Sequence, residues 1–192
     1  MAPERSNLRL KDLKAKTPTI SRLMNVKVPL DTLAGIDRLA KKLNATKTSV
    51  VVALLNEALA TEIVCVLRYK RHYFMASGIN AESVAAEFLQ HANEEQGHAD
   101  SIAHRIVQLK GEPNFNPEGL LTRSHAEYVE GTTLTDMIKE DLVAERIAID
   151  SYRELITYFG ADDPTSRRLM EEILAVEEEH ADDLVNLLEK MG

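Results

Sequence analysis

Glu95-Gln96-Gly97-His98, inside the stretch Gln90-His91-Ala92-Asn93-Glu94-Glu95-Gln96-Gly97-His98-Ala99-Asp100, decides how this chain is read. Residues three apart on a helix share a face, so Glu95 and His98 present a carboxylate and an imidazole to one point. The pattern returns as Glu177-Glu178-Glu179-His180-Ala181-Asp182. A Glu three residues before a His is common in an acidic helical chain, so either copy alone says little. The surroundings say more. Glu62 lies upstream of the first pair and Glu145 upstream of the second, and each is followed seven residues on by a tyrosine, Tyr69 or Tyr152. From lone Glu to paired Glu the spacing is 33 residues in one half and 32 in the other. The chain reads as two related helix pairs, each supplying Glu, Tyr and Glu-x-x-His-Ala-Asp.

Apolar spacing around these residues predicts four long helices. The first runs from Ser49 to about Ala76, with Leu55, Leu59, Glu62, Cys65 and Tyr69 on one face, and Asn44–Ser49 forms a turn and a new N-cap ahead of it. A short turn leads to the second, about Ala81 to Lys110, with Phe88, His91, Glu95, His98 and Ile102 inward and Gly111 as its cap. Residues 112–132 hold Pro113, Pro117, Gly119 and Gly131 and form a link much longer than neighbouring helices need. The third helix, about Thr133 to Phe159, points Asp141, Glu145 and Tyr152 inward; the fourth runs from Pro164 to Lys190 with Ile173, Glu177, His180 and Leu184 inward. Two short turns around one long crossover describe an all-α, antiparallel four-helix bundle over residues 49–192.

Composition bounds the rest. The 192 residues hold 8 Gly, 6 Pro and no Trp, a mix that favours helix over sheet. Cys65 is the only cysteine, which excludes an internal disulfide framework and suits a reducing cytoplasm. No apolar run approaches a membrane span and the charged N-terminus has no signal-peptide core, so the expectation is a soluble cytoplasmic protein. The net charge of −8 is uneven: residues 1–48 carry 11 basic against 4 acidic residues, the remainder 12 against 27. Residues 1–48 form a basic extension with a short strand at Leu23–Val28 and a helix from Leu30, capped by Asp31. About residues 22–60 resemble a ribbon-helix-helix DNA-binding module, which implies outward-facing Asn25 and Lys27 and a contact with DNA through the extension.

The inward faces bring Glu62, Glu95, Glu145 and Glu177 toward the middle of an apolar bundle, where four ionised carboxylates repel one another and lose hydration. Two divalent cations cancel four negative charges, and His98 and His180 then offer one neutral nitrogen to each. Glu62 and Glu145 are the expected terminal ligands, Glu95 and Glu177 the bridges. Oxygen-rich ligation with one imidazole per metal suits iron or manganese. Asp141, one turn before Glu145, is placed to orient a ligating His. Tyr69 and Tyr152 are core aromatics and candidate electron donors, Cys65 is a core residue, His91 is a core histidine or lines a path to the centre, and His72, His104 and His125 read as surface.

Over about residues 50–192 the chain resembles a bacterioferritin, a ferritin-like di-iron protein. The resemblance rests on Leu55-Asn-Glu-Ala-Leu-Ala-Thr-Glu62, Glu95-Gln-Gly-His-Ala-Asp100, Asp141-Leu-Val-Ala-Glu145 and Glu177-Glu-Glu-His180. It implies a ferroxidase that oxidises Fe²⁺ at an intrasubunit di-iron centre with dioxygen or peroxide, for iron storage or detoxification. Glu62, Glu95, His98, Glu145, Glu177 and His180 would be the metal ligands, with Tyr69 as the family's tyrosine beside them. A rubrerythrin-like peroxide reductase and a Dps-like DNA-associated iron-binding protein are the alternatives, the first lacking its Cys-x-x-Cys pair here. The chain stops at Lys190-Met191-Gly192, where bacterioferritins continue into a fifth helix, so a homo-oligomeric dimer or 12-mer is expected over a 24-mer.

Bacterioferritins hold haem through a Met immediately after the bridging Glu of the second helix, and here that residue is Gln96. An amide is a poor ligand for haem iron compared with a thioether. Protein purified from haem-replete cells is expected to show no Soret band; a stoichiometric band abolished by changing a Met would overturn this.

Overall fold

The computed structural model describes residues 46–191. The expected strand at 23–28, the helix from residue 30, and Asn25 and Lys27 lie outside the described residues. Among the described residues five helices follow in order: α1 Lys47–Met75, α2 Ala81–Gln108, α3 Leu120–Arg123, α4 Leu134–Phe159 and α5 Pro164–Met191. The four long ones form the antiparallel bundle, with α1 packed closely on α2 and α4 on α5, and the segment from Leu109 to Thr133 carries the chain across. The crossover is not wholly irregular, as α3 adds one helical turn of four residues. So short a segment has no periodicity for a sequence reading to detect.

The ends of the helices follow local chemistry. Thr46, within the expected turn at 44–49, caps α1, its side chain accepting from Ser49 N at 3.1 Å. Thr133 and Asp136 close a reciprocal capping box on α4. Asp163 accepts from Ser166 N at 3.0 Å, with Pro164 as the first residue of α5. Gly111 was expected as the left-handed cap of α2, but that conformation belongs to Lys110, with φ of 60°. Gly111 is needed for space instead: a Cβ there would stand 2.6 Å from Val52 Cγ1.

A polar layer divides the apolar core. On one side lie Leu55, Leu59, Ile102, Ile106, Leu155, Phe159, Met170 and Ile173; on the other, Val84, Phe88, Ala92, Ile138, Leu142 and Leu184. Glu62, Glu95, Glu145 and Glu177 occupy the gap in each helix between these clusters. Helix α1 includes an 18-residue window of mean hydropathy 2.1, long and apolar enough to cross a membrane by composition, contrary to the sequence reading. Of that window, 72% is buried inside the bundle, α1 being covered by its neighbours on one side and the crossover on the other.

The crossover is held by buried polar groups. Asp141 accepts from Arg68 Nε at 2.7 Å and lies 2.7 Å from His72 Nδ1, so it does not orient a ligating histidine as expected. Arg68 also donates to the Glu127 carbonyl at 3.0 Å, and His72 Nε2 lies 3.1 Å from the Val129 carbonyl. His125 lies 3.1 Å from Glu57 and 3.0 Å from Ser151, while its backbone N–H donates to Thr61. His72 and His125 are therefore not surface residues; only His104 of that group is exposed. Removing one partner of a buried ion pair leaves the other charge uncompensated. Asp141→Ala, which strands the buried Arg68, is expected to lower the stability of the metal-free protein by about 3–5 kcal/mol, measured by urea denaturation.

Candidate metal centre

Helical spacing puts one carboxylate from each long helix into the polar layer, all at most 1% exposed. The structure brings all six expected ligands together around two points. At the first, His98 Nδ1 lies 3.3 Å from Glu62 Oε2, 3.4 Å from Glu95 Oε2 and 3.1 Å from Glu177 Oε1. At the second, His180 Nδ1 lies 3.6 Å from Glu95 Oε1, 3.9 Å from Glu145 Oε2 and 4.0 Å from Glu177 Oε2. Glu95 and Glu177 thus turn one oxygen toward each imidazole, while Glu62 and Glu145 serve one point each. Each group offers its donor atoms within 4.8 Å of one another, the spread that a small divalent cation spans. Glu62 Oε2, Glu95 Oε1, Glu145 Oε2, Glu177 Oε1 and His180 Nδ1 are buried and have no hydrogen-bond partner. Orphaned acceptors converging on two points are groups that could hold two cations.

The surrounding hydrogen bonds fix these side chains. Tyr69 Oη donates to Glu145 and Tyr152 Oη donates to Glu62, so each tyrosine serves the carboxylate of the opposite helix pair. Glu94, which the sequence reading passed over, lies 2.8 Å from His180 Nε2 and orients that ring. Its only signal was its place beside Glu95. His91 is fully buried, stacked on His180 with ring centroids 4.0 Å apart, and its Nδ1 lies 3.2 Å from Tyr69 Oη. Cys65 is buried against Ala126 and Ala144. Gln96 is exposed and donates to Asp100 at 3.1 Å.

Electrostatics explain how the metal-free layer tolerates its charge. Burial, and then the charge of Glu95, push Glu62 and Glu145 above the usual carboxylate range, and burial with Glu95, Glu145 and Glu62 does the same to Glu177. Burial opposes ionisation of Glu95 too, but the imidazoles of His180 and His98 beside it win and hold it below that range. Burial works against His98 and His180, yet the neighbouring Glu62 and Glu95 raise the first to about 10, and Glu95, Glu145 and Glu94 raise the second to about 9. His91 is depressed to about 3, first by burial and then by His180. Burial keeps both tyrosines as phenols. The layer is neutralised by protons, which a cation must displace.

Comparison with known proteins agrees with the architecture. Residues 52–192 match the Ferritin-like domain family. The chain belongs to the ferritin-like family. Bacterioferritin BfrA of Mycobacterium tuberculosis (strain ATCC 25618 / H37Rv) is 32% identical over 146 residues, covering 74% of this chain and 87% of that protein. Among solved structures, the dodecameric thioferritin of Bacteroides fragilis, a bacterioferritin-related protein, superposes with a TM-score of 0.73 at 29% identity, covering 82% of this chain and 94% of that one. Dps from Thermosynechococcus elongatus shares the fold, with a TM-score of 0.70 at 20% identity over 80% of this chain and 94% of its own.

Since protons and cations compete for the same atoms, metal affinity is expected to rise with pH. Each displaced proton makes this about tenfold per pH unit below the raised pKa values. Calorimetry with Co²⁺ in buffers of different ionisation enthalpy reads the proton count directly; a pH-independent affinity would be inconsistent with this account.

Proposed function

We propose that the chain is a bacterioferritin-like ferroxidase of the cytoplasm, taking Fe²⁺ as substrate at an intrasubunit dinuclear centre for iron storage or detoxification. The observation that carries this reading is the pair of shared carboxylates: Glu95 and Glu177 each face both His98 and His180 with different oxygens. All six donors come from one chain, so the centre needs no second subunit to complete it, which favours this reading over a Dps-like one.

Four carboxylates balance two ferrous ions, and the same negative, oxygen-rich shell interacts more strongly with ferric ions, which favours electron loss. Two Fe²⁺ ions give up two electrons. With two protons these reduce dioxygen to hydrogen peroxide, or peroxide to two waters. Tyr69 and Tyr152 hold Glu145 and Glu62 in place, and Tyr69 is the candidate to supply a further electron. Manganese fits the same donors. The expected assembly is a homo-oligomer, for which the dodecamer of the Bacteroides fragilis relative is a precedent. The basic residues 1–48 supply a candidate DNA contact.

Stopped-flow mixing of anaerobic Fe²⁺-loaded protein with oxygen is expected to show a fast phase that oxidises two ions per subunit. Glu95→Ala removes a bridge and should abolish that phase. His98→Ala should weaken one position and leave a single tighter one of the pair. The helical circular-dichroism signal should survive both, because the apolar clusters on either side of the polar layer are untouched. Wild-type kinetics in Glu95→Ala would refute the dinuclear reading.

A further inference from the structure

Helices α2 and α5 carry a second group of donors, beside the first, that iron oxidation does not use. Glu87, His91 and Asp183 each offer one atom within 4.8 Å of the others. His91 Nε2 lies 3.4 Å from Glu87 Oε1 and 3.8 Å from Asp183 Oδ2. Two donors each about 2.1 Å from a small divalent cation stand roughly 3.0 Å apart at a right angle and roughly 4.2 Å apart when opposed. Both distances fall between these limits.

Hydrogen-bond bookkeeping gives this cluster its charge preference. Tyr69 Oη spends its one proton on Glu145, so toward His91 it acts as an acceptor, 3.2 Å from Nδ1. Nδ1 therefore carries the hydrogen of the neutral ring, and Nε2 presents a bare lone pair. That atom is fully buried, lacks a hydrogen-bond partner, and faces two carboxylates that are acceptors as well. Three acceptors turned toward one point without a donor are stabilised by a cation.

Packing does not account for these residues. Counted from the paired Glu of each half, His91 corresponds to Ile173 and Glu87 to Leu169; counted from the paired His, Asp183 corresponds to Ser101. The second half packs the same helical position with a buried isoleucine. The polar set stands on one flank only.

We propose that Glu87, His91 and Asp183 form a third divalent-cation site at the rim of the bundle. Glu94, bonded to His180 and within reach of His91, closes the side toward the dinuclear cluster. One imidazole with two carboxylates suits a cation of the ferrous, manganous or zinc class. Glu87 and Asp183 are 29% and 39% exposed, which leaves the site open to solvent.

The test is an anaerobic Co²⁺ titration of the full chain, by calorimetry with metal analysis after desalting. Wild type is expected to bind three cations per subunit, and Glu87→Gln and Asp183→Asn two each; both side chains are partly exposed, so the bundle persists. Glu95→Ala should lose cations of the pair yet keep the one held by His91. Two cations in wild type, or three in both rim variants, would overturn the proposal. Failure of the dinuclear reading looks different: Glu95→Ala would then retain every cation that wild type binds.

Discussion

Four carboxylates buried in one layer are the constraint on which the rest of this structure depends. Unpaired, such a layer would cost far more than the few kcal/mol by which domains are stable. The molecule distributes the charge over imidazoles, tyrosine hydroxyls and shared protons, and keeps the apolar clusters to either side. The same arrangement that lets the metal-free chain fold gathers carboxylate oxygens and an imidazole nitrogen at each of two points. Stability and ion affinity are thus two sides of one compromise.

The crossover shows how a long connection stays close to a bundle with few apolar anchors. Arg68 and His72, both held by Asp141, grip it at Glu127 and Val129, and Asn56, Glu57 and Thr61 grip it at Glu112, Asn114 and His125. Backbone groups of the link that would otherwise lie unpaired against α1 find partners on that helix. This is why α1 is buried on more than one face, and why its composition resembles that of a membrane span.

The fold and the six converging side chains were legible because their signals are local. Spacing of three or four residues sets a face, and the matched halves supplied the redundancy that a single Glu-x-x-His lacks. What escaped was set by contacts distant in sequence. Asp141 sits one turn from Glu145 and looks available to a histidine until Arg68, 73 residues away, is seen to occupy it. His72 and His125 look like surface residues until the crossover folds over them. Glu94 and Asp183 were hidden by abundance, being two acidic residues among 31. The reason for Gly111 was hidden likewise, because its closeness to Val52 depends on tertiary packing.

The exchanged tyrosines have a bearing on origin. Tyr69 of the first hairpin serves Glu145 of the second, and Tyr152 returns the service to Glu62. Neither tyrosine bonds the carboxylate of its own helix. That reciprocity has the pattern of a two-fold contact between identical units, here made within one chain. Joining two copies by a linker preserves every such contact without inventing one. Where the halves differ, as at His91 and Ile173, a single chain has a freedom that two identical hairpins lack: one flank can differ while the other keeps the frame.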